Sequence, residues 1–191
     1  VQTCALPIWM LHNYGVSNLF VGKDSGNFTM ETGGMEPSHQ NTGIGINTLS
    51  AITNAFYNTA IGWNALATTT TGEGNTAVGT WSLDSNSNGF SNSAFGANSL
   101  TANTTGDENL AVGNQALLGN TTGGRNTAVG TNAGNPLSFS NRNISGSENV
   151  FIGHTSGPGV DGTSTPLNNA TAIGARAVVS ADRKSTRLNS V

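Results

Sequence analysis

The chain has 191 residues, 35% of them hydrophobic and 9% charged, with a formal net charge of −3 and one cysteine. No apolar run approaches the ~18 residues of a membrane-spanning helix. A lone cysteine excludes a disulfide framework and a Cys-ligated metal.

The two ends are read together. Residues 1–8, "VQTCALPI", can be written GTT CAG ACG TGT GCT CTT CCG ATC. The reverse complement translates to "DRKSTRLN", which is residues 182–189. Such a match at both ends resembles a read-library adapter, so residues 1–8 and 182–191 are set aside as adapter-derived. With them go Cys4 and the basic tail of Arg183, Lys184 and Arg187. Lys23, Arg125, Arg142 and Arg176 then face nine acids, a net charge of about −5, and nothing marks a nucleic-acid footprint. The natural termini are expected to lie outside this sequence.

After a lead-in over residues 9–17, residues 18–181 form one repeat domain. Its copies begin with Asn and end with Gly: Asn18 to Gly22, Asn41 to Gly45, Asn58 to Gly62, Asn75 to Gly79 and Asn92 to Gly96. Asn109 to Gly113, Asn126 to Gly130 and Asn149 to Gly153 follow, and a ninth copy runs from Ala170 to Gly174 without the leading Asn. The glycines are spaced 23, 17, 17, 17, 17, 17, 23 and 21 residues apart. A fixed period of this size predicts a solenoid.

Seventeen residues cannot hold two helices, but suffice for two short strands and two turns. The motif is rich in Asn, Thr and Gly, poor helix formers. The expected architecture is therefore all-β, a parallel solenoid of about nine short two-strand coils. Alternation along the strand puts Thr and Val or Ile on one face and Ala and Gly on the other. Val is expected to supply the thin core, and the bare Ala/Gly face to permit close approach. The leading Asn is expected to stack coil on coil as an amide ladder. In the "TTG" segments ending at Gly72, Gly106 and Gly123, glycine is expected to supply a positive φ. One coil orders too many residues for the apolar surface it buries, so stability must come from stacking and, as an expectation, from other chains.

At these residues the chain resembles the head repeats of trimeric autotransporter adhesins (YadA-like heads), most closely at Ala170 to Ala177, "ATAIGARA". The seventeen-residue form, as in Asn109 to Arg125, is similar to repeats of phage tail-fibre and bacterial surface proteins. The resemblance spans about Asn18 to Ser180. It implies a left-handed β-roll assembled as a homotrimer in an extracellular fibre, on a cell surface or a virion. It implies attachment to a host-cell, matrix or glycan receptor rather than catalysis, with any membrane contact made through a separate anchor domain.

No residue pattern points to a catalytic, cofactor or metal site. His12, His39 and His154 share no spacing, and Asp24, Asp84, Asp107 and Asp161 are isolated. The calcium-binding nonapeptide, the G-x-S-x-G elbow and the phosphate-binding P-loop are absent. Specific contacts are expected where the rungs differ. Trp63 and Trp81, on adjacent coils, are candidates for a glycan or protein contact or for a subunit interface. The longer intervals, near residues 31–40, 134–142 and 157–166, are candidates for surface loops. Two other functions fit a β-solenoid. An ice- or crystal-binding protein needs an outward Thr array, which Ser93, Leu110 and Val150 interrupt. A β-helix polysaccharide-degrading enzyme needs clustered carboxylates.

Overall fold

The computed structural model describes residues 11–12, 17–27, 38–135, 143–159, 166–180 and 183–187. Each motif copy forms one three-residue strand: β2 (Leu19–Val21), β3 (Thr42–Ile44), β4 (Thr59–Ile61), β5 (Thr76–Val78) and β6 (Ser93–Phe95). The series continues through β7 (Leu110–Val112), β8 (Thr127–Val129) and β9 (Val150–Ile152) to the ninth copy, Thr171–Ile173, which is β11. These strands pair in parallel in chain order, with equivalent residues opposite one another, as Thr59, Thr76 and Ser93 are. The fold is a parallel β-solenoid of about seven turns, and no helix occurs among the described residues. Two flanking segments complete the eleven-stranded sheet: β1 (Leu11–His12), antiparallel on β2, and β13 (Ser185–Arg187), parallel on β11. Free N–H and C=O groups at an open edge accept almost any extended segment, including one in the stretch read as adapter-derived.

The coils differ from the expected two-strand form. Among the described residues a second strand pair occurs only between β10 (Gly157–Pro158) and β12 (Val178–Val179). Elsewhere the return leg is a chain of turns, still bonded coil to coil through Leu66 N–H to the Ser82 carbonyl (3.1 Å) and Leu83 N–H to the Ser99 carbonyl (3.0 Å). The reason is local. Leu49, Leu66, Leu83, Leu100 and Leu117 hold φ of 50–51°, which no extended strand permits.

The core also inverts the expected assignment. The residue at each strand centre points inward: Ala60, Ala77, Ala94, Ala111 and Ala128 are fully buried, as are the left-handed leucines. Val and Ile of the motif point outward. The interior is too narrow for them. A Cβ on Gly43 would lie 2.8 Å from Thr48 Oγ1 and 2.9 Å from Phe20. Phe replaces Ala at a strand centre only where space is returned elsewhere. Phe20 packs where Gly26 stands in place of leucine, and Phe151 where Gly134 does. The leucines offset their backbone strain, of order 1–2 kcal/mol each, by complete burial of their side chains.

The asparagines explain how so thin a core holds together. Asn75 Nδ2 donates to Asn58 Oδ1 (3.1 Å) and to the Gly89 carbonyl (2.8 Å), and its backbone N–H donates to the same Asn58 Oδ1 (2.9 Å). The pattern repeats from Asn41 to Asn149. A second buried ladder runs through Asn86, Asn103, Asn120 and Asn143, each amide also donating to the carbonyl three residues on.

Glycine plays two separate parts. Gly72, Gly106 and Gly123 do not have positive φ, contrary to expectation. They are needed because a Cβ would strike the ladder and the next coil: on Gly72 it would meet the Gly89 carbonyl oxygen at 2.6 Å. Gly74 is the converse case. Its φ is 65°, Tyr57, Ser91, Glu108 and Arg125 hold φ of 54–60° at the same point of other coils, and a Cβ there would meet nothing closer than Ser91 Oγ at 3.7 Å. Gly74→Asn is therefore expected to stabilise the fold by about 0.4–1 kcal/mol, by restricting the unfolded chain. Chemical denaturation checks it: a lower midpoint would mean that the coil needs glycine at this corner.

Candidate functional site

Two outward rows run along the sheet, one from each end of the strands. The first holds Thr42, Thr59, Thr76, Ser93, Leu110, Thr127, Val150 and Thr171, stacked in register. The second holds Ile44, Ile61, Val78, Phe95, Val112, Val129, Ile152 and Ile173, and is apolar throughout. With strands about 4.8 Å apart, this row is a stripe roughly 34 Å long. Ile44, Ile61, Phe95 and Ile152 each expose 38–40% of their surface. In-register pairing turns one apolar residue per coil into a continuous surface. The sequence reading had these residues in the core, and so missed the stripe.

Trp63 and Trp81 flank the stripe at the corner after the motif glycine. Trp63 is one residue past Gly62 and Trp81 two past Gly79, so the rings lie on neighbouring coils but in adjacent columns. Their centroids are 5.0 Å apart with planes tilted by 38°. Trp63 is 50% and Trp81 37% exposed. The backbone beneath is fixed by Trp81 N–H donating to the Trp63 carbonyl (2.9 Å) and by Thr101 Oγ1 donating to the Trp81 carbonyl (2.8 Å). A second aromatic group, absent from the sequence reading, sits at the corner before the strands. His39 lies 4.5 Å from Phe56 and 5.7 Å from Tyr57, centroid to centroid. The signal was available: Phe56-Tyr57 and His39 fall at equivalent places of consecutive coils, and bridge pairing joins His39 to Phe56.

The titratable residues are dispersed. Asp24 follows a motif glycine, Asp107 precedes a motif asparagine and Asp84 lies on a return leg. Burial raises the Asp84 carboxyl above the usual aspartate value. Asp107 Oδ1 accepts the Phe90 N–H (2.9 Å), a capping role on the neighbouring coil. Arg125 and Glu148 form an exposed pair (2.8 Å) between coils, of small energetic worth. Among the described residues no three of His, Cys, Asp and Glu converge as metal ligands, and no helix is long and apolar enough to cross a membrane. Of the candidate loops, residues 31–37, 136–142 and 160–165 lie outside the described residues, as does Asp161.

No protein-family model matches the chain, and no curated protein or solved structure matches it.

Proposed function

We propose that this chain is a non-catalytic structural and adhesive segment of an extracellular fibre. In this reading it is a homotrimer of left-handed β-rolls about nine coils long, of the kind the adhesin-head and tail-fibre resemblance implies. One observation carries the reading: the apolar row from Ile44 to Ile173 faces outward without interruption. Water contact along such a row is costly, and stripes of this kind mark association surfaces. A closed symmetric assembly presents the same row from every copy toward the others. In-register stacking repeats the contact at each coil, so weak local burial sums along the length. A receptor of the host-cell, matrix or glycan class, a cell-surface or virion location, and membrane attachment through a separate anchor domain belong to the same reading.

The alternatives explain less. An ice-binding face needs a flat, regular Thr lattice, and Leu110, Val150 and the Phe95 ring break both regularity and flatness. A polysaccharide-degrading site needs carboxylates that converge, and Asp24, Asp84 and Asp107 stand on different columns of the coil.

Sedimentation equilibrium tests the assembly. The expected mass is three times the 19.4 kDa of one chain. Val78→Asp and Val112→Asp place charge on the outward row, so each is expected to keep the β-sheet circular-dichroism signal while dissociating the assembly. A parent chain that is a stably folded monomer at micromolar concentration would sink the proposal.

A further inference from the structure

The Trp63–Trp81 pair carries more than packing explains. Trp81 has φ of 55°, a conformation rare for a bulky side chain. At the same point of other coils stand Asn47, Asn64, Asn98 and Asn132, and also Asp24, Gln115, Thr155 and Arg176, all with φ of 54–59°; asparagine, the commonest occupant, tolerates that conformation. Trp81 is thus the locally disfavoured choice, and its 37% exposure shows that the core does not demand it. A large, partly exposed indole held at a strained corner points to function.

The surroundings define the chemistry. Thr80 stacks next to Trp63 in its column, and Asn64 and Asn98 bracket Trp81 in the other. Asn64 Oδ1 accepts the Asn47 amide (2.6 Å), which orients it. Thr80 and Asn98 are half-buried. Across coils two to five these two columns hold Ile46, Trp63, Thr80 and Ala97 beside Asn47, Asn64, Trp81 and Asn98, with no charged group. An indole face attracts cations, but no carboxylate here would hold one. A pair of exposed aromatic faces edged by neutral amides and a hydroxyl suits a ligand with apolar C–H faces and hydroxyl rims.

We infer that Trp63 and Trp81 form a binding platform for a neutral oligosaccharide, with pyranose rings stacked on the indoles and hydroxyls bonded to Thr80 and Asn98. This deepens the attachment part of the proposed function and does not depend on the trimer.

The full chain is titrated separately with cellohexaose, maltohexaose and chitohexaose, followed by tryptophan fluorescence and calorimetry, with tetragalacturonate as an acidic comparison. At least one neutral hexasaccharide is expected to give a saturable response, and the acidic one none. Trp63→Ala and Trp81→Asn are each expected to weaken that binding by at least about tenfold. Trp81→Asn restores the residue best suited to the corner, so its Tm is expected to rise by about 2–4 °C even as binding is lost. Loss of binding with a lowered Tm would instead mark Trp81 as structural and overturn the inference. So would silence toward all three neutral sugars, tight binding of tetragalacturonate, or a Trp63→Ala variant whose sedimentation mass falls, which would place the pair in a subunit interface. Sugar binding by a monomeric chain leaves this inference standing and removes only the trimer.

Discussion

Gly96→Ala is expected to destabilise the solenoid by roughly 3–6 kcal/mol, a large fraction of the stability of a domain, which is of order 5–15 kcal/mol. Two terms combine. Gly96 has φ of 135°, outside the range an alanine adopts readily. An added Cβ would lie 2.6 Å from both the carbonyl carbon and oxygen of Gly113, and 3.0 Å from Asn114 N. Those atoms are backbone, so no rotamer change relieves the clash and the coils must separate. Separation strains Gly96 N–H to Val78 carbonyl and Gly113 N–H to Phe95 carbonyl, both 2.8 Å, and the two Asn ladders beside them. Position adds to the effect. A solenoid is stabilised by nearest-neighbour coupling, and Gly96 sits mid-array, so one failed interface leaves two short stacks. Thermal unfolding followed by circular dichroism checks this. A Tm within a few degrees of the parent would show that adjacent coils slide apart at little cost, and would undo the account of the glycine column. Gly74→Asn, made at a corner with open space, is the matched comparison in which the same measurement should move the other way.

How much of this was visible before the fold? The seventeen-residue period, the short strand in each motif and the leading-Asn column follow from spacing and residue type, and the parallel in-register sheet uses them all. Alternation divided the motif into two faces correctly, but residue size alone assigned the wrong one to the interior. That choice depends on the width of the coil, which is set by three-dimensional closure. Only the closed coil shows that alanine and a left-handed leucine fill the space, and that Phe20 needs Gly26. The return legs were misread for a related reason. Leucine has no intrinsic preference for φ near 50°, so nothing local announces the turn. The second ladder at Asn86, Asn103, Asn120 and Asn143 was hidden in residues that read as ordinary turn formers. For the candidate site, the tryptophans stood out as departures from the repeat, while the apolar stripe went unseen because its residues had been spent on the core.

The ladder itself gives the second large effect. Asn92→Leu keeps approximate volume and removes every polar atom of the side chain. Asn92 donates to Asn75 Oδ1 (3.1 Å) and the Gly106 carbonyl (2.8 Å), and its own Oδ1 receives Asn109 N–H (3.0 Å) and Asn109 Nδ2 (3.0 Å). The acceptors lose little, since Asn75 Oδ1 still receives Asn92 N–H and the Gly106 carbonyl still receives Asn103 Nδ2. The donors lose more. Asn109 N–H and one Asn109 amide hydrogen are left buried and unpaired, at about 1–3 kcal/mol each, so the expected destabilisation is about 2–6 kcal/mol. An ordinary hydrophobic-for-polar exchange in a core can be neutral when both partners are replaced. Replacing Asn92 and Asn109 together cannot achieve that here, because it orphans the Asn126 N–H and one Asn126 amide hydrogen as well. The backbone N–H at position 109 stays unpaired and the Asn126 donors join it, so the defect grows along the stack instead of vanishing. The double variant Asn92→Leu/Asn109→Leu should therefore be no more stable than the single one in chemical denaturation, whereas recovery toward the parent midpoint would show that the ladder is a set of independent pairs. The same connectivity gives the strict Asn repeat its physical cause: each asparagine serves both neighbours, so a rung can be dropped only where the stack ends, as at Ala170, whose N–H still bonds to Asn149 Oδ1 (2.9 Å) and which passes no amide onward.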